Sequence, residues 1–151
     1  MAPPTDRQIR VLVVDDDPAL LNVIGLFLES TGEIITTLAH RGGEALDRIE
    51  SEHFDVCVSD LEMPGMDGIR LLKEVRYRGM DLPCILITGS GHGDVTARAR
   101  TAGVNRVIRK VGEGDNFFQK LIEAVRAAAG RGEKEHPFPE GRRERSLSVH
   151  A

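Results

Sequence analysis

Acidic, hydroxyl and amino side chains stand at the ends of several apolar segments of this sequence. Asp15 and Asp16 directly follow the first apolar run, and Asp60 follows the third. Thr88 ends the fourth run, and Lys110 follows the fifth. If these runs are parallel strands, their carboxyl ends meet at one edge of a sheet, where open α/β sheets bind ligands. These side chains are therefore predicted to share one site.

The charges of this predicted site indicate its chemistry. Crowded carboxylates repel one another and raise each other's pKa. A hard cation removes that repulsion, and Mg²⁺ binds one or two carboxylates while keeping waters for a phosphate ligand. Lys110 and Thr88 can then hold phosphate oxygens from the opposite side. The set indicates a phosphoryl-transfer site with one carboxylate free to act as the nucleophile.

Five short apolar runs, rich in Val and Ile, alternate with helix-like segments. They span Ile9–Val14, Glu33–Leu38, Phe54–Ser59, Pro83–Thr88 and Val104–Arg109. Near-continuous apolar runs are typical of strands that are covered on both faces of a parallel sheet. The alternation predicts a layered α/β fold with right-handed crossovers.

Capping residues and apolar periodicity predict the helices between these strands. The predicted segments run from Pro18 to about Ser30, over 41–51, from Asp67 to Gly79, over 93–103, and onward from Asp115. Asp17 is predicted to be the N-cap of the first helix and not a member of the site. The fourth helix offers only Val95, Ala99 and Ala102 to the core, so low local stability is expected there.

Composition limits the classes of function. The net charge of −4 over 151 residues gives no reason to expect a nucleic-acid partner. No run of eighteen apolar residues exists and the first residues lack an apolar signal core, so we expect no membrane association and a cytoplasmic location. Cys57 and Cys84 lie in apolar runs and are predicted to be buried, reduced thiols.

The domain organisation follows from where the periodic pattern stops. We expect an N-terminal extension over 1–8, one folded domain over 9–129, and a charged tail over 130–151. The tail has no periodic apolar face, so it is predicted to be disordered.

Four motifs together resemble the receiver domain of two-component response regulators. They are "VLVVDDDPALL", "DVCVSDLEMPGMDGIRLLKEVR", "PCILITGSG" and Lys110, and the resemblance covers roughly 10–129. It implies a doubly wound, flavodoxin-like (βα)5 fold with a five-stranded parallel sheet in the order 2-1-3-4-5. The tight turn of "EMPGMDG" is expected to wall the site, with Met63 and Met66 as packing contacts.

The resemblance also implies a role for each acid of the site. Asp60 corresponds to the phosphoacceptor. Asp16 would bind Mg²⁺ directly and Asp15 mainly through water. Asp60 and the backbone carbonyl of Glu62 would complete the protein ligands of the cation.

Partners and output are implied in the same way. Thr88 would bond the phosphoryl group and Lys110 would pair with it, and a sensor histidine kinase or a histidine phosphotransfer protein would be the donor. Such a receiver catalyses only its own phosphoryl transfer and dephosphorylation, so it is not expected to be an enzyme. Its output would be binding of an unidentified downstream protein through helix 4, strand 5 and helix 5, because the tail is too short for an output domain.

The sequence departs from the family pattern at two positions that report phosphorylation. Val107 replaces the usual aromatic residue, and Val111 replaces the proline that usually follows the lysine. A cis peptide before Val costs about 3 kcal/mol, so a trans peptide is predicted there. Glu62 and Ser90 occupy the positions that tune the lifetime of the phosphoryl group, and the sequence does not predict whether they lengthen or shorten it. His92 is expected to be a loop residue.

Two other functions remain open at this point. A degenerate receiver that acts as a constitutive interaction module is motivated by Val107 and Val111. A haloacid dehalogenase-like phosphatase is motivated by the Asp-x-Asp of "VVDDDP", and it would place the nucleophile at Asp15. That second alternative leaves the Asp60 loop unexplained.

Overall fold

The computed structural model describes residues 7–89, 93–110 and 116–131, and within them strands and helices alternate along the chain. The strands are β1 (Ile9–Val14), β2 (Ile34–Ala39), β3 (Val56–Asp60), β4 (Cys84–Thr88) and β5 (Arg106–Arg109). The helices are α1 (Pro18–Glu29), α2 (Gly42–Ser51), α3 (Gly68–Tyr77), α4 (Gly93–Ala102) and α5 (Phe117–Ala128).

All four strand pairs are parallel, and the sheet has the order β2-β1-β3-β4-β5. This confirms the predicted α/β topology. The register places Val14 beside Ser59, Asp60 beside Ile87, and Thr88 beside Arg109. The carboxyl ends of β1, β3, β4 and β5 therefore lie at one edge of the sheet.

Helices cover both faces of the sheet because the strand residues are apolar on both sides. Leu12 and Val14 belong to the core beneath α2, α3 and α4, while Val11 and Val13 belong to the core beneath α1 and α5. All four side chains are at most 1% exposed. Burying a side chain of this size stabilises the fold by about 1.5–3 kcal/mol, so β1, an interior strand of the sheet, contributes to both cores.

Capping residues determine where helices begin, as α1 shows. Asp17 accepts hydrogen bonds from the backbone N–H groups of Ala19 and Leu20 at 3.0 and 3.4 Å, which confirms it as the N-cap of α1. In α4, Ala99 is fully buried and Val95 and Ala102 pack against the core, as predicted.

Several predictions fall outside the described residues. They concern the cap at Asp115, the peptide that joins Lys110 to Val111, the loop residues Ser90 and His92, and most of the tail. Among the described helices, none has both the length and the apolar character that crossing a bilayer requires.

Candidate functional site

Asp15 lies just beyond the end of β1 and is 1% exposed. Its backbone N–H donates to Ala39 O at 3.1 Å, which continues the β1–β2 pairing past the strand. Its Oδ1 accepts the backbone N–H of Asp17 at 2.9 Å. Its Oδ2 is also buried, and in the described part of the chain no group donates a hydrogen bond to it. This oxygen is therefore directed into the site without a donor.

Asp60 is the last residue of β3 and is 3% exposed. The strand ladder continues past it, because the N–H of Leu61 donates to Ile87 O at 2.7 Å. The loop then returns onto the strand, where Gly68 donates its N–H to Leu61 O at 2.8 Å. A Cβ on Gly68 would lie 2.6 Å from Asp60 O, so only glycine permits this close approach. The backbone that carries Asp60 is thus held from both sides.

The loop between Asp60 and Gly68 is fixed by apolar contacts. Met63 is 8% exposed and belongs to the core cluster beneath α2 and α3. Met66 packs against that cluster and lies over Gly42, where an added Cβ would meet the Met66 Sδ at 2.7 Å. Both methionines are packing contacts, as predicted.

Lys110 reaches the site from the end of β5. Its backbone N–H donates to Thr88 O at 2.8 Å, which fixes the start of its side chain beside β4. Its Nζ lies 2.8 Å from Asp60 Oδ1 and 3.9 Å from Asp15 Oδ2. One ammonium group therefore faces the two buried carboxylates together.

Thr88 ends β4 with its side chain buried, at 2% exposure for the residue. Its Oγ1 donates to Glu62 Oε2 at 3.3 Å. The next backbone N–H, that of Gly89, points to Glu62 Oε1 at 3.5 Å. The Glu62 side chain thus lies across the mouth of the site. No sequence pattern predicted this contact, although Glu62 occupies a position that tunes phosphoryl lifetime in the family and its backbone carbonyl is an expected cation ligand.

The electrostatics of the site follow from burial and crowding. Burial raises the pKa of Asp60 to about 6, with the charges of Asp15 and Glu62 adding to the rise and Lys110 opposing it. Burial also raises the pKa of Asp15, against the hydrogen bond from the Asp17 backbone and the charge of Lys110. Burial would lower the pKa of Lys110, but the Asp60 contact and the nearby carboxylates outweigh it, so that this pKa is raised.

The acid cluster fits a divalent cation. Asp15, Asp16 and Asp60 each offer a carboxylate oxygen, and these oxygens lie within 4.8 Å of one another. Asp15 Oδ2 is buried without a hydrogen-bond donor from the described residues and lies 3.9 Å from Lys110 Nζ, so it can serve as a ligand to a cation. Hard oxygen donors of this kind suit Mg²⁺. The residues present therefore match the chemistry of the predicted ligand.

The structure brings the predicted side chains to one edge of the sheet. Asp15, Asp16, Asp60 and Lys110 form the connected cluster, and Thr88 joins it through its contact with Glu62. Their catalytic and metal-binding roles stay predictions, as does the role of the Glu62 carbonyl.

Comparison with known proteins gives the family. The model of the response regulator receiver domain matches residues 11–122. Transcriptional regulatory protein GlrR of Escherichia coli is 34% identical over 123 residues, which are 82% of this chain and 28% of GlrR. Response regulator MprA of Mycobacterium bovis is 41% identical over 123 residues, which are 82% of this chain and 51% of MprA. The chain thus spans less than two thirds of either relative.

Solved structures show the same fold. The receiver domain of the Francisella response regulator 1452 superposes with a TM-score of 0.74 at 32% identity, covering 82% of this chain and 98% of that one. A CheY-like receiver domain protein from Methanospirillum hungatei superposes with a TM-score of 0.70 at 28% identity, covering 83% and 99%. With its acid cluster, its lysine and its strand order, this chain belongs to the response regulator receiver family of two-component systems.

Proposed function

We propose that this receiver accepts a phosphoryl group on the Asp60 carboxylate from a phosphohistidine donor. The observation that carries the proposal is the 2.8 Å contact between Lys110 Nζ and Asp60 Oδ1, which orients one buried carboxylate at the carboxyl end of β3. A sensor histidine kinase or a histidine phosphotransfer protein is the natural donor for this family.

The chain's own residues position the reaction. The Asp60 carboxylate attacks phosphorus in line with the leaving nitrogen of the donor, and the P–N bond breaks as the P–O bond forms. Lys110 stays beside the acceptor and neutralises charge that develops on the phosphoryl oxygens. The Thr88 hydroxyl and the Gly89 N–H both point to Glu62 at the mouth of the site, and both turn to the phosphoryl group once Glu62 releases them.

The predicted cation would be held by the carboxylates of Asp15, Asp16 and Asp60 and by the Glu62 carbonyl. When bound, Mg²⁺ supplies Lewis-acid neutralisation of the phosphoryl oxygens. It would also relieve the repulsion among carboxylates that raises the pKa of Asp15 and Asp60.

Output is proposed to occur by protein binding through the surface of α4, β5 and α5. Val107 lies on β5, pairs with Leu86 and packs against the core beneath α2 and α3. A switch that depends on an aromatic ring at this position is therefore unavailable to the chain. The proposed receiver modifies only itself and has no separate substrate.

Phosphorylation by a small donor tests this function. Incubation with Mg²⁺ and phosphoramidate should add the mass of one phosphoryl group to the chain. Asp60→Ala should abolish the addition, whereas Asp17→Asn should retain it because the Asp17 side chain caps α1. A persistent mass shift in Asp60→Ala would contradict the assignment of the acceptor.

The degenerate receiver is the second candidate, and the aliphatic Val107 on β5 is the observation that favours it. It would bind its partner without forming a phosphoaspartate with any donor. The family match over 11–122 favours a receiver of either kind over a haloacid dehalogenase-like phosphatase.

A further inference from the structure

A pair of thiols lies at the end of the sheet that is opposite to the acid cluster. Cys57 and Cys84 are register partners on the adjacent parallel strands β3 and β4. Both belong to the core cluster beneath α2 and α3, so their side chains leave the sheet on the same face. Neighbouring strands lie about 4.8 Å apart, which falls within the Cα separation that a disulfide can bridge. Both cysteines are reduced in this structure.

The guanidinium group of Arg76 contacts the same backbone carbonyl, Leu82 O, as the Cys84 thiol. Arg76 on α3 donates to the backbone carbonyls of Met80, Leu82 and Gly103, at 3.2, 2.8 and 3.3 Å. Among the described residues no acid forms an ion pair with it. These contacts fix a positive charge beneath β4, and such a charge stabilises a thiolate.

The two thiols are not equivalent. A hydrogen bond from Cys57 and the charge of Arg76 lower the pKa of Cys84 against the effect of burial. The hydrogen bond to Cys84, together with burial, raises the pKa of Cys57. The Cys84 thiol also contacts Leu82 O at 3.4 Å. Cys84, which meets the Leu82 carbonyl together with the Arg76 guanidinium, is assigned as the nucleophilic member, and Cys57 as the member that can resolve an oxidised product.

A surface cleft leads to this end of the sheet. It has a volume of about 490 Å³ and includes Met80, Leu82 and Pro83, which directly precede Cys84. Cys84 is 4% exposed and Cys57 is 1% exposed. The cleft therefore borders the start of both strands, and Cys84 is the slightly more exposed of the two thiols.

We propose that Cys57 and Cys84 form a reversible redox site that hydrogen peroxide oxidises to an intramolecular disulfide. The Cys84 thiolate attacks one peroxide oxygen, the O–O bond breaks, and the leaving oxygen departs as hydroxide, which becomes water on protonation. Cys57, losing its proton, then attacks the sulfur of the Cys84 sulfenic acid, and the S–O bond breaks with release of a second water. Two thiols are oxidised and one peroxide is reduced.

Reversibility follows from the strand geometry. Registered residues on parallel strands hold their Cβ atoms about one strand spacing apart, which exceeds the usual disulfide separation of about 3.8 Å. A bond formed there is strained, and strained disulfides are the ones that cellular dithiols reduce readily.

The test uses the full chain and hydrogen peroxide. After treatment, remaining thiols are blocked in denaturant and the chain is digested for mass spectrometry. The expected product in the unsubstituted protein is a monomer that has lost two hydrogens and contains a linked Cys57–Cys84 peptide, which dithiothreitol separates. Retention of both thiols, or links only between two chains, would overturn the proposal.

Single variants assign the order of attack. In Cys57→Ser, dimedone should trap a sulfenic acid at Cys84, whereas trapping at Cys57 in Cys84→Ser should be about tenfold slower.

Arg76→Gln should slow disulfide formation about tenfold and Arg76→Lys should restore it. Arg78→Gln, at the C-cap of α3, should have no effect, since Arg78 pairs with Glu50 and Glu74 at the surface. Equal rates of trapping at the two cysteines would refute the assigned roles. If a variant fails to fold, the linked Cys57–Cys84 peptide from the unsubstituted chain still shows whether the disulfide forms.

Discussion

The carboxylate of Glu62 accepts the hydroxyl hydrogen of Thr88, with 3.3 Å between Oε2 and Oγ1. The same carboxylate faces the Gly89 N–H at 3.5 Å. In the proposed function, both donors serve the phosphoryl oxygens on Asp60. Glu62 therefore competes with the incoming phosphoryl group for these two hydrogen-bond donors. The charge of Glu62 also raises the pKa of Asp60.

Neutralising Glu62 should speed phosphorylation. Both hydrogen bonds are long and Glu62 is exposed, so each contributes at the low end of the net range of about 0.5–1.5 kcal/mol. We expect Glu62→Gln to react with phosphoramidate about two- to tenfold faster than the unsubstituted chain, followed by intact mass spectrometry over time. Asp47→Asn removes an equal charge from an exposed position on α2 and should leave the rate unchanged. A slower reaction of Glu62→Gln would show that the carboxylate assists the transfer.

The raised pKa of Asp60 predicts a pH-dependent cost to stability. In the folded state Asp60 keeps its proton up to about pH 6, whereas in the unfolded chain it loses the proton near pH 3.8. The folded state binds more protons in this window, so the contribution of Asp60 to the free energy of unfolding is greatest below pH 3.8 and falls as the pH rises through 6. The loss amounts to at most about 3 kcal/mol.

Asp60→Asn should therefore stabilise the metal-free protein at neutral pH. We expect its free energy of unfolding in urea to exceed that of the unsubstituted chain by about 1–3 kcal/mol at pH 7.5 with EDTA. The difference should vanish below pH 4. Asp16→Asn, at an exposed position, should give a smaller gain. A destabilised Asp60→Asn at pH 7.5 would mean that the ion pair with Lys110 outweighs burial.

Mg²⁺ should stabilise the protein through the same carboxylates. A ligand at one hundred times its Kd adds about 2.7 kcal/mol to the free energy of unfolding, so Tm should rise on addition of Mg²⁺. Asp15→Asn should raise the Tm of the metal-free protein but remove most of the Mg²⁺-dependent increase. Asp17→Asn should retain that increase. Thermal melts with and without EDTA measure both quantities, and an undiminished Mg²⁺ effect in Asp15→Asn would exclude that residue from the site.

The sheet could be predicted from sequence because its strands are nearly continuous apolar runs. β1 has the predicted bounds, Ile9–Val14. β5 instead begins at Arg106, two residues after the apolar run that starts at Val104. Val104 is buried, but its N–H donates to Ala99 O at 3.1 Å and so completes the end of α4. Apolar character predicts burial, whereas strand pairing depends on which backbone partner is in reach.

In the candidate site, too, some features could be predicted from the sequence and others depend on tertiary contacts. Asp15, Asp60 and Lys110 were predictable because each ends or directly follows a strand whose carboxyl end lies at a known edge. The contact of Glu62 with Thr88 was not predictable, since Glu62 is an exposed loop acid whose side-chain direction no periodic pattern fixes. The same holds for the pairing of Cys57 with Cys84, which depends on the register of β3 and β4.

Gly68 should be intolerant of even one added methyl group. A Cβ there would lie 2.6 Å from Asp60 O, 2.9 Å from a methyl carbon of Leu86 and 3.1 Å from the Cα of Leu61. Two of these atoms belong to the backbone next to the acceptor, so relief requires movement of Asp60. We expect Gly68→Ala to lower the free energy of unfolding by about 1–3 kcal/mol. We also expect it to slow phosphorylation at saturating Mg²⁺ about tenfold or more, since small displacements at a reacting group are costly.

Gly43→Ala is the matched control for this substitution. Gly43 lies in the first turn of α2, and no atom lies within 4 Å of a Cβ built there. Alanine at a compatible helical position stabilises by about 0.5–1 kcal/mol, so this variant should melt at or above the temperature of the unsubstituted chain and accept phosphate at the same rate. Urea unfolding and phosphoramidate kinetics on both variants separate the two positions. If Gly68→Ala matched Gly43→Ala in stability and in rate, the close approach of the loop would have no part in positioning Asp60.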